Sequence, residues 1–143
     1  MTTLVDTDTS LRFSDAEGLA LDPYARWMRF ELLDRGDGLR GQLRPSDHLL
    51  GNPQLQLLHG GVLATLLQLT GAAIVMDAMD LKERPRLLSS TVQYLGAARA
   101  VDTFCRGRVI SRSRRFTTVQ AAIFQGSPEE SIAAATLQFL LVE

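Results

Sequence analysis

The chain has 143 residues, of which 45% are hydrophobic and 22% are charged, with a formal net charge of −1. A chain of this length can bury a substantial core, and we expect one domain over residues 1–143, with residues 1–22 as a peripheral N-terminal segment. The balanced charge lacks the basic excess of nucleic-acid-binding proteins, so no nucleic-acid partner is expected. The polar N-terminus has no signal-peptide pattern, which predicts a cytoplasmic protein.

The only cysteine, Cys105, excludes an internal disulfide. It falls in a predicted strand with no histidine near it in sequence, which favours a buried structural thiol over a nucleophile. We predict no metal site.

The first elements in chain order are a predicted hairpin, after a short helix expected around Ser14–Leu19. Alternation of polar and apolar side chains predicts a strand at Trp27–Leu32. A turn at Arg35–Gly38 follows, since Asp-Gly supplies the positive φ of a tight hairpin, and Leu39–Leu43 returns as the second strand. Pro45–Gln56 is predicted to be a loop.

The segment Val62–Met79 is the longest apolar run in the chain. Its length and its content of Ala, Leu and Met predict a helix, and apolar residues on nearly every side indicate that the helix is buried. Gln68, Asp77 and the lack of flanking basic anchors argue against a membrane span, so no membrane partner is expected.

Four strands are predicted after this helix, at Leu88–Leu95, Thr103–Ser111, Phe116–Gln125 and Ile132–Val142. They suggest an antiparallel sheet wrapped around one buried helix, an α+β architecture. Such a sheet covers one side of the helix only. A second copy of the chain would cover the rest, which predicts a homo-oligomer.

The helix begins with Gly60 and Gly61, directly after His59. The first N–H groups of a helix lack intrahelical partners, and the helix dipole is positive there. Because glycines leave these donors uncovered, a ligand oxygen can reach them. This arrangement is typical of an oxyanion site.

The run from His59 to Leu66, His-Gly-Gly-Val-Leu-Ala-Thr-Leu, resembles the signature of PaaI-like hotdog acyl-CoA thioesterases of the 4-hydroxybenzoyl-CoA thioesterase superfamily. The resemblance extends from about Trp27 to the C-terminus. It implies a hotdog fold, with a long central helix wrapped by an antiparallel sheet of five to six strands. It also implies an acyl-CoA substrate, no cofactor other than the coenzyme A of that substrate, and a homodimer or homotetramer. In the family, the N–H of the first glycine after the histidine polarises the thioester carbonyl, and that glycine corresponds to Gly60.

Gln68 departs from the family pattern. An Asp or Glu that acts as base or nucleophile stands nine positions after the motif histidine in the family, and Gln68 occupies that position here. An amide cannot take a proton at neutral pH, but it can orient a water molecule. Gly61, Thr65 and Gln68 share one helix face, with Gly61 and Gln68 ~10 Å apart along the axis. The family pairs the glycine of one subunit with the acidic position of its neighbour. A Gln68 that bridges helices at a dimer interface is an equal alternative.

Several further residues are candidates by resemblance. His59 is either a general base or, as is usual in PaaI-like proteins, a positional residue. Some family members hold the attacking water with an Asn or Gln at the position of Pro53, so that Asn52 or Gln54 would have to substitute here. Others use a Ser or Thr on the next strand, for which Ser90, with Ser89 and Thr91 beside it, is a candidate. Arg112, Arg114 and Arg115 are either a solvated turn or a site for coenzyme A phosphates.

Three functions are compatible with these sequence features. The first is an acyl-CoA thioesterase in which Gln68 of a partner subunit orients water. The second, suggested by Gln68, is a non-catalytic protein that binds acyl-CoA or another acyl thioester. The third is a hotdog dehydratase, because Asp47–Pro53 faintly resembles a His-x-x-Gly-x-Pro loop, although no carboxylate lies between His59 and Asp77. The acyl group and its carrier, coenzyme A or acyl carrier protein, are not determined.

Overall fold

The computed structural model describes residues 22–34 and 36–141. The elements in chain order are helix α1 (Pro23–Met28), strands β1 (Glu31–Asp34) and β2 (Leu39–Leu43), a 3₁₀ turn (Asp47–Leu49), strands β3 (Leu50–Asn52) and β4 (Leu57–Leu58), helix α2 (Gly60–Met79), and strands β5 (Arg86–Tyr94), β6 (Thr103–Arg112), β7 (Phe116–Phe124) and β8 (Ala133–Leu140).

Six of these strands form one antiparallel sheet in the order β1-β2-β6-β7-β8-β5. Helix α2 packs across one face of this sheet, and strands β3 and β4 form a separate two-stranded hairpin. The predicted α+β architecture, a long helix against an antiparallel sheet of five to six strands, is confirmed.

Helix and sheet approach each other closely at two glycines. A Cβ on Gly71 of α2 would lie 2.5 Å from the Leu137 side chain, and one on Gly41 of β2 would lie 2.0 Å from the Thr70 hydroxyl. Neither position has room for a side chain unless its neighbour shifts. The close contact explains why a long apolar helix carries a glycine at its centre, despite a cost of about 1 kcal/mol relative to alanine.

The predicted strand at Trp27–Leu32 is wrong for its first half, which belongs to helix α1. The Asp22 side chain caps this helix by accepting hydrogen bonds from two N–H groups of its first turn, at 2.8 and 3.2 Å, and a proline occupies the first helical position. Arg29, with a left-handed φ of 60°, ends the helix. Strand β1 therefore begins only at Glu31. Capping and a buried helical face outweigh the alternation seen in the sequence.

The remaining boundaries lie close to those predicted. Gly36 and Gly38 have φ values of 95° and 110°, as the predicted hairpin turn requires. The predicted loop Pro45–Gln56 contains a 3₁₀ turn and strand β3. The helix expected around Ser14–Leu19 lies outside the described residues.

The far side of α2 is covered by the same chain to a greater extent than expected. Ala25, Met28, Leu49 and Leu58 all belong to the buried cluster that includes α2, and each is less than 7% exposed. Within α2, only Asp77 and Ala78 are exposed in the single chain, so the helix does not need a second subunit to bury its apolar side. The expected uncovered apolar side of α2 is therefore not present in the single chain, and a homo-oligomer would have to form through another surface.

Helix α2 is long and apolar enough to span a membrane by length and composition. However, 61% of its most apolar window is buried inside the fold. Its position in the core accounts for the hydropathy of this segment.

Candidate active site

The N-terminus of α2 is capped by His59. This residue has an extended backbone, and its Nδ1 accepts a hydrogen bond of 2.8 Å from the Gly61 N–H. Since Nδ1 is the acceptor, the proton of the neutral ring is assigned to Nε2. Nδ1 is therefore engaged and Nε2 has no free lone pair, an arrangement that suits a positional residue better than a general base.

One N–H group of the first turn remains available. The N–H groups of Val62 and Leu63 both approach the His59 carbonyl, at 3.0 and 3.3 Å, and that of Gly61 is taken by the cap. The Gly60 N–H donates to no acceptor among residues 22–34 and 36–141. Gly60 is half-buried, so this donor lies at the positive end of a 20-residue helix where a ligand can still approach it.

Positions 60 and 61 differ in how much room they leave for a side chain. A Cβ on Gly61 would lie 3.0 Å from Nδ1 of His59, which disturbs the cap. A Cβ on Gly60 would meet only the Tyr94 ring, at 3.5 Å, which is an ordinary van der Waals contact. The packing of the described residues explains the glycine at position 61 but not the one at position 60. A glycine at 60 is explained if another molecule approaches there.

Tyr94, at the end of β5, contacts Gly60 directly. Its hydroxyl donates to the Gly60 carbonyl at 2.9 Å, and its ring lies against the glycine. The side chain is nevertheless 55% exposed. From the sequence, Tyr94 is expected only to lie in a strand, because no local pattern links it to a helix that begins 34 residues earlier.

Thr65 and Gln68 lie on the same face of α2 as Gly61, as predicted from their spacing. The Thr65 hydroxyl donates to the Gly61 carbonyl at 2.9 Å, so it is already engaged within the helix. Gln68 is half-buried, and its amide forms no hydrogen bond within the described part of the chain. Gln68 is ~12 Å along the helix from Gly60. The two residues of one chain therefore cannot both touch a single carbonyl group.

Asn52 ends strand β3, on the exposed segment that precedes the helix. Its Oδ1 accepts a hydrogen bond of 3.1 Å from the Leu55 N–H and so stabilises the turn between β3 and β4. The preceding Gly51 packs against His59, where an added Cβ would lie 3.0 Å from the histidine Cα. Asn52 is thus near the helix entrance, but its oxygen already has a structural partner.

Ser90 and the three candidate arginines lie in different parts of the sheet. Ser90 is half-buried on β5, opposite Leu137. Arg112 ends β6, and Arg114 and Arg115 lie in the turn that follows; all three are exposed.

Within one chain, this turn is far from Gly60. Arg112 pairs with Thr117, which pairs with Phe139, which in turn pairs with Leu87 on β5. From Leu87 to Tyr94, the residue that touches Gly60, the strand advances by ~23 Å. The structure therefore does not bring the three arginines to the helix N-terminus of their own subunit.

Cys105 is fully buried, and burial raises the pKa of its thiol to about 12. It is therefore a protonated core residue and not a nucleophile, as predicted. Across residues 22–34 and 36–141, no group of three or more His, Cys, Asp or Glu side chains is placed to hold a metal ion.

The His48 ring, part of the loop that resembles a dehydratase motif, is held by Trp27. Its Nε2 donates to the Trp27 carbonyl at 2.8 Å, and the two rings pack edge to face at 4.7 Å. This contact ties the loop to α1 and gives His48 a structural role.

A groove of about 650 Å³ lies on the sheet face opposite α2. Its polar lining includes hydroxyls, amides and two arginines: Thr91, Gln93, Arg106, Arg108, Gln120 and Thr136. These residues alternate along their strands with buried residues that face the helix, so the groove is separated from Gly60 by the sheet. We do not assign the candidate site to this groove despite its size, because its lining residues do not include the N–H donor found at the N-terminus of α2.

The model of the thioesterase superfamily (4HBT) matches residues 55–132, more than half of the chain. The chain belongs to the thioesterase superfamily. The matched region includes His59, Gly60, Gly61 and Gln68, so the predicted resemblance is confirmed at the level of the family. A search of curated proteins gives no significant match.

Solved structures share the hotdog architecture of this thioesterase-superfamily chain. A conserved protein from Pseudomonas aeruginosa has a TM-score of 0.77 at 22% identity, covering 88% of this chain and 98% of its own. A Bacillus halodurans protein solved with CoA has a TM-score of 0.75 at 20% identity, covering 91% and 89%. A phenylacetic acid degradation-related protein from Ralstonia eutropha has a TM-score of 0.73 at 21% identity, covering 92% and 100%. Identities this low establish the fold alone.

Proposed function

We propose that this protein is an acyl-CoA thioesterase that hydrolyses its substrate by direct attack of water. The observation that carries the proposal is the Gly60 N–H, which lies at the N-terminus of a buried helix in a member of the thioesterase superfamily and has no acceptor within the described ranges 22–34 and 36–141. The Bacillus halodurans relative solved with CoA supports coenzyme A as the carrier.

The chemistry requires one donor and one positioned water. The thioester oxygen accepts the Gly60 N–H, and the helix dipole stabilises the negative charge that develops on this oxygen during attack. Water adds to the carbonyl carbon, the carbon–sulfur bond breaks, and the products are a carboxylic acid and free coenzyme A. A Gln68 amide orients the water by accepting from it through Oε1 and donating to a neighbouring acceptor through Nε2.

The water-orienting amide comes from a second subunit, because Gln68 and Gly60 of one chain are too far apart. Strand β5 supports this dimer. It is a nine-residue strand at the edge of the sheet, with Leu88 and Tyr94 about half exposed, whereas β1 at the other edge has four residues. Long open edges favour pairing with another chain. Antiparallel β5–β5 pairing would place both α2 helices on one face of a continuous sheet, with Gln68 of the partner subunit facing Gly60.

The same pairing gives the exposed arginines a role. Since it inverts the second subunit, the turn with Arg112, Arg114 and Arg115 of one subunit lies at the same end of the dimer as Gly60 of the other. We propose that these guanidinium groups bind the phosphates of coenzyme A. The ~23 Å that separates the turn from Gly60 within one chain makes the partner turn the better candidate.

The remaining predicted residues have supporting roles in this proposal. His59 and Thr65 shape the first turn of α2 through the hydrogen bonds that they form with Gly61. Asn52 contacts the bound water or substrate through its amide nitrogen, because its oxygen is engaged. Ser90 lies half-buried on β5, the strand that forms the proposed subunit contact.

A second function is favoured by one observation, the amide at position 68. Without a carboxylate base, the same scaffold would bind acyl-CoA and not turn it over. Loss of a general base typically lowers a rate by about 10²–10⁴-fold. The dehydratase hypothesis loses support, because His48 is held by the Trp27 carbonyl and α2 carries no carboxylate before Asp77.

The test is a hydrolysis panel of aryl and fatty acyl-CoA substrates, with released thiol measured and with binding of the same substrates measured in parallel. Thiol release that rises with enzyme concentration and saturates with at least one substrate is the expected result. Saturable acyl-CoA binding without thiol release would overturn the thioesterase proposal in favour of the binding protein. Sedimentation of the same samples tests the dimer, and a folded monomer at micromolar concentration would contradict it.

A further inference from the structure

We propose that Tyr94 is a positioning residue that anchors Gly60 through its carbonyl and so helps to hold the Gly60 N–H in place. This inference rests on the proposed function, because it assigns Tyr94 a part in binding the thioester oxygen. It does not make Tyr94 a catalytic residue, since its hydroxyl contacts the helix and not the reacting atoms.

The hydrogen bond from Tyr94 reaches the residue that carries the donor. Within the helix, the Gly60 carbonyl is directed at the N–H four residues further on. The Tyr94 hydroxyl adds a second donor to this oxygen at 2.9 Å. Two donors on this carbonyl restrain the peptide plane between Gly60 and Gly61. The Gly60 N–H lies in the preceding plane, whose His59 carbonyl accepts from the N–H groups of Val62 and Leu63 at 3.0 and 3.3 Å. Both planes that meet at the Gly60 Cα are therefore restrained, at a helix end that would otherwise fray and where glycine offers no resistance of its own.

Tyr94 is itself attached to a rigid part of the sheet. It pairs with the fully buried Ala133, and the next two N–H groups, of Leu95 and Gly96, donate to the Ile132 carbonyl at 2.8 and 3.1 Å. The hydroxyl therefore connects the start of α2 to the ends of β5 and β8. On the other side of Gly60, the His59 N–H donates to the Leu49 carbonyl at 2.9 Å. The glycine is held from both sides, and the direction of its N–H is set before a substrate binds, which is the preorganisation that an oxyanion donor needs.

The exposure of Tyr94 is consistent with a position beside the substrate. Its ring would be the nearest neighbour of a Cβ at Gly60, yet 55% of the residue is exposed. A thioester bound to the Gly60 N–H would lie next to this ring. Replacing Tyr94 by Phe removes the hydrogen bond to the Gly60 carbonyl but keeps the aromatic ring beside Gly60.

The decisive variant is Tyr94→Phe, with Tyr24→Phe as the matched control. Tyr24 is the other tyrosine of the chain; it is 41% exposed and stacks on Trp27, away from the helix N-terminus. We expect Tyr94→Phe to lower kcat about 3- to 10-fold, as for one lost hydrogen bond, and to leave KM, the melting temperature and the sedimentation coefficient unchanged. We expect Tyr24→Phe to behave like the wild type. An unchanged kcat in Tyr94→Phe, or an equal loss in Tyr24→Phe, would overturn the proposal.

A second measurement separates this inference from the proposed function. The carbonyl ¹³C and amide ¹⁵N resonances of Gly60 report the hydrogen bond and the peptide orientation in the free protein, whether or not it hydrolyses anything. We expect both to shift in Tyr94→Phe and to stay in place in Tyr24→Phe. A wild type without thioesterase activity but with these shifts would refute the proposed function alone. Unshifted Gly60 resonances would refute the positioning role, whatever the activity.

Discussion

The two ends of helix α2 are built in opposite ways. At the C-terminal end, Asp80 adopts a left-handed φ of 52°, and the N–H groups of Asp80 and Leu81 both donate to the carbonyl of the buried Met76. That end is closed by the chain itself, in the way that helices commonly terminate. At the N-terminal end, the His59 cap satisfies the Gly61 N–H, and the Gly60 N–H is left without an acceptor among the described residues.

The unsatisfied donor is also specific to α2 among helix N-termini, because in α1 Asp22 accepts from the N–H groups of Tyr24 and Ala25, and Pro23 has no N–H. An orphan N–H at a half-buried position costs stability unless water or a ligand satisfies it. Residues 22–34 and 36–141 provide a hydrogen-bonded histidine and a tyrosine around this donor, but none of them accepts from it. We therefore interpret the N-terminal end as the functional end and the C-terminal end as a structural one.

Gly60→Ala, at the N-terminal end of α2, is the substitution expected to change activity most. The added methyl meets only the Tyr94 ring at 3.5 Å, so the fold should accept it, and alanine should raise stability by up to about 1 kcal/mol. Because the methyl crowds the N–H that binds the thioester oxygen, we expect kcat to fall about 10²-fold. Thiol-release kinetics and thermal unfolding of the same preparations measure the two effects.

Gly126→Ala is the matched control, because no heavy atom lies within 4 Å of a Cβ at that position. It should leave both kcat and stability close to wild type. A fully active Gly60→Ala would show that the donor is not used.

Gln68→Ala should have the next largest effect. If the amide orients the attacking water, its loss should lower kcat about 10-fold with KM retained, as expected for one or two hydrogen bonds made in the transition state. Gln68→Glu should also lower kcat, because a carboxylate lacks the Nε2 donor. A rise in kcat for Gln68→Glu, growing as the new acid deprotonates, would instead identify position 68 as a site that lacks its base.

Replacing Arg112, Arg114 and Arg115 together by Ala tests the other end of the sheet. Loss of charge-assisted contacts to coenzyme A phosphates should raise KM for acyl-CoA about 10-fold and change kcat less. The difference from wild type should shrink at high salt, where exposed charges are screened. An Arg106→Ala, Arg108→Ala double variant in the groove on the opposite sheet face serves as the charge control. An equal rise in KM there would point to a general charge effect.

His59→Ala and His59→Asn together distinguish a cap from a base. Removing the cap with Ala should lower stability by about 1 kcal/mol, whereas Asn is itself a favoured cap and should preserve it. If His59 is positional, His59→Asn should also keep most of the activity. A severe loss of kcat in a stable His59→Asn variant would assign chemistry to the imidazole. Denaturant unfolding and thiol release provide the two measurements.

Asp80→Gly should produce the smallest effect, at the closed end. A glycine adopts the left-handed φ without the steric penalty of a side chain, so the free energy of unfolding should rise by up to about 1 kcal/mol. Activity should not change, because this end has no proposed part in the reaction. A clear change in kcat without a change in stability would show that the two ends are coupled.

The sequence was most informative where short-range chemistry decides the structure. The apolar run Val62–Met79, with two glycines at its start, predicted the helix that the structure places at Gly60–Met79. Asp-Gly in the first hairpin predicted the turn because only certain residues accept its positive φ. The strand prediction at Trp27–Leu32 failed, because a cap from Asp22 and burial on one helical face decided the local structure.

The motif from His59 to Leu66 by itself identified the family and the candidate donor at Gly60, since a helix N-terminus with bare N–H groups is a local feature. Only the tertiary structure decided which donor remains free, because the partners are set by the folding of distant segments. The Tyr94 hydroxyl reaches Gly60 across 34 positions of sequence, and the strand register places the three arginines at the opposite end of the sheet. Strand order likewise left β5 at the open edge, and neither periodicity nor spacing encodes that order.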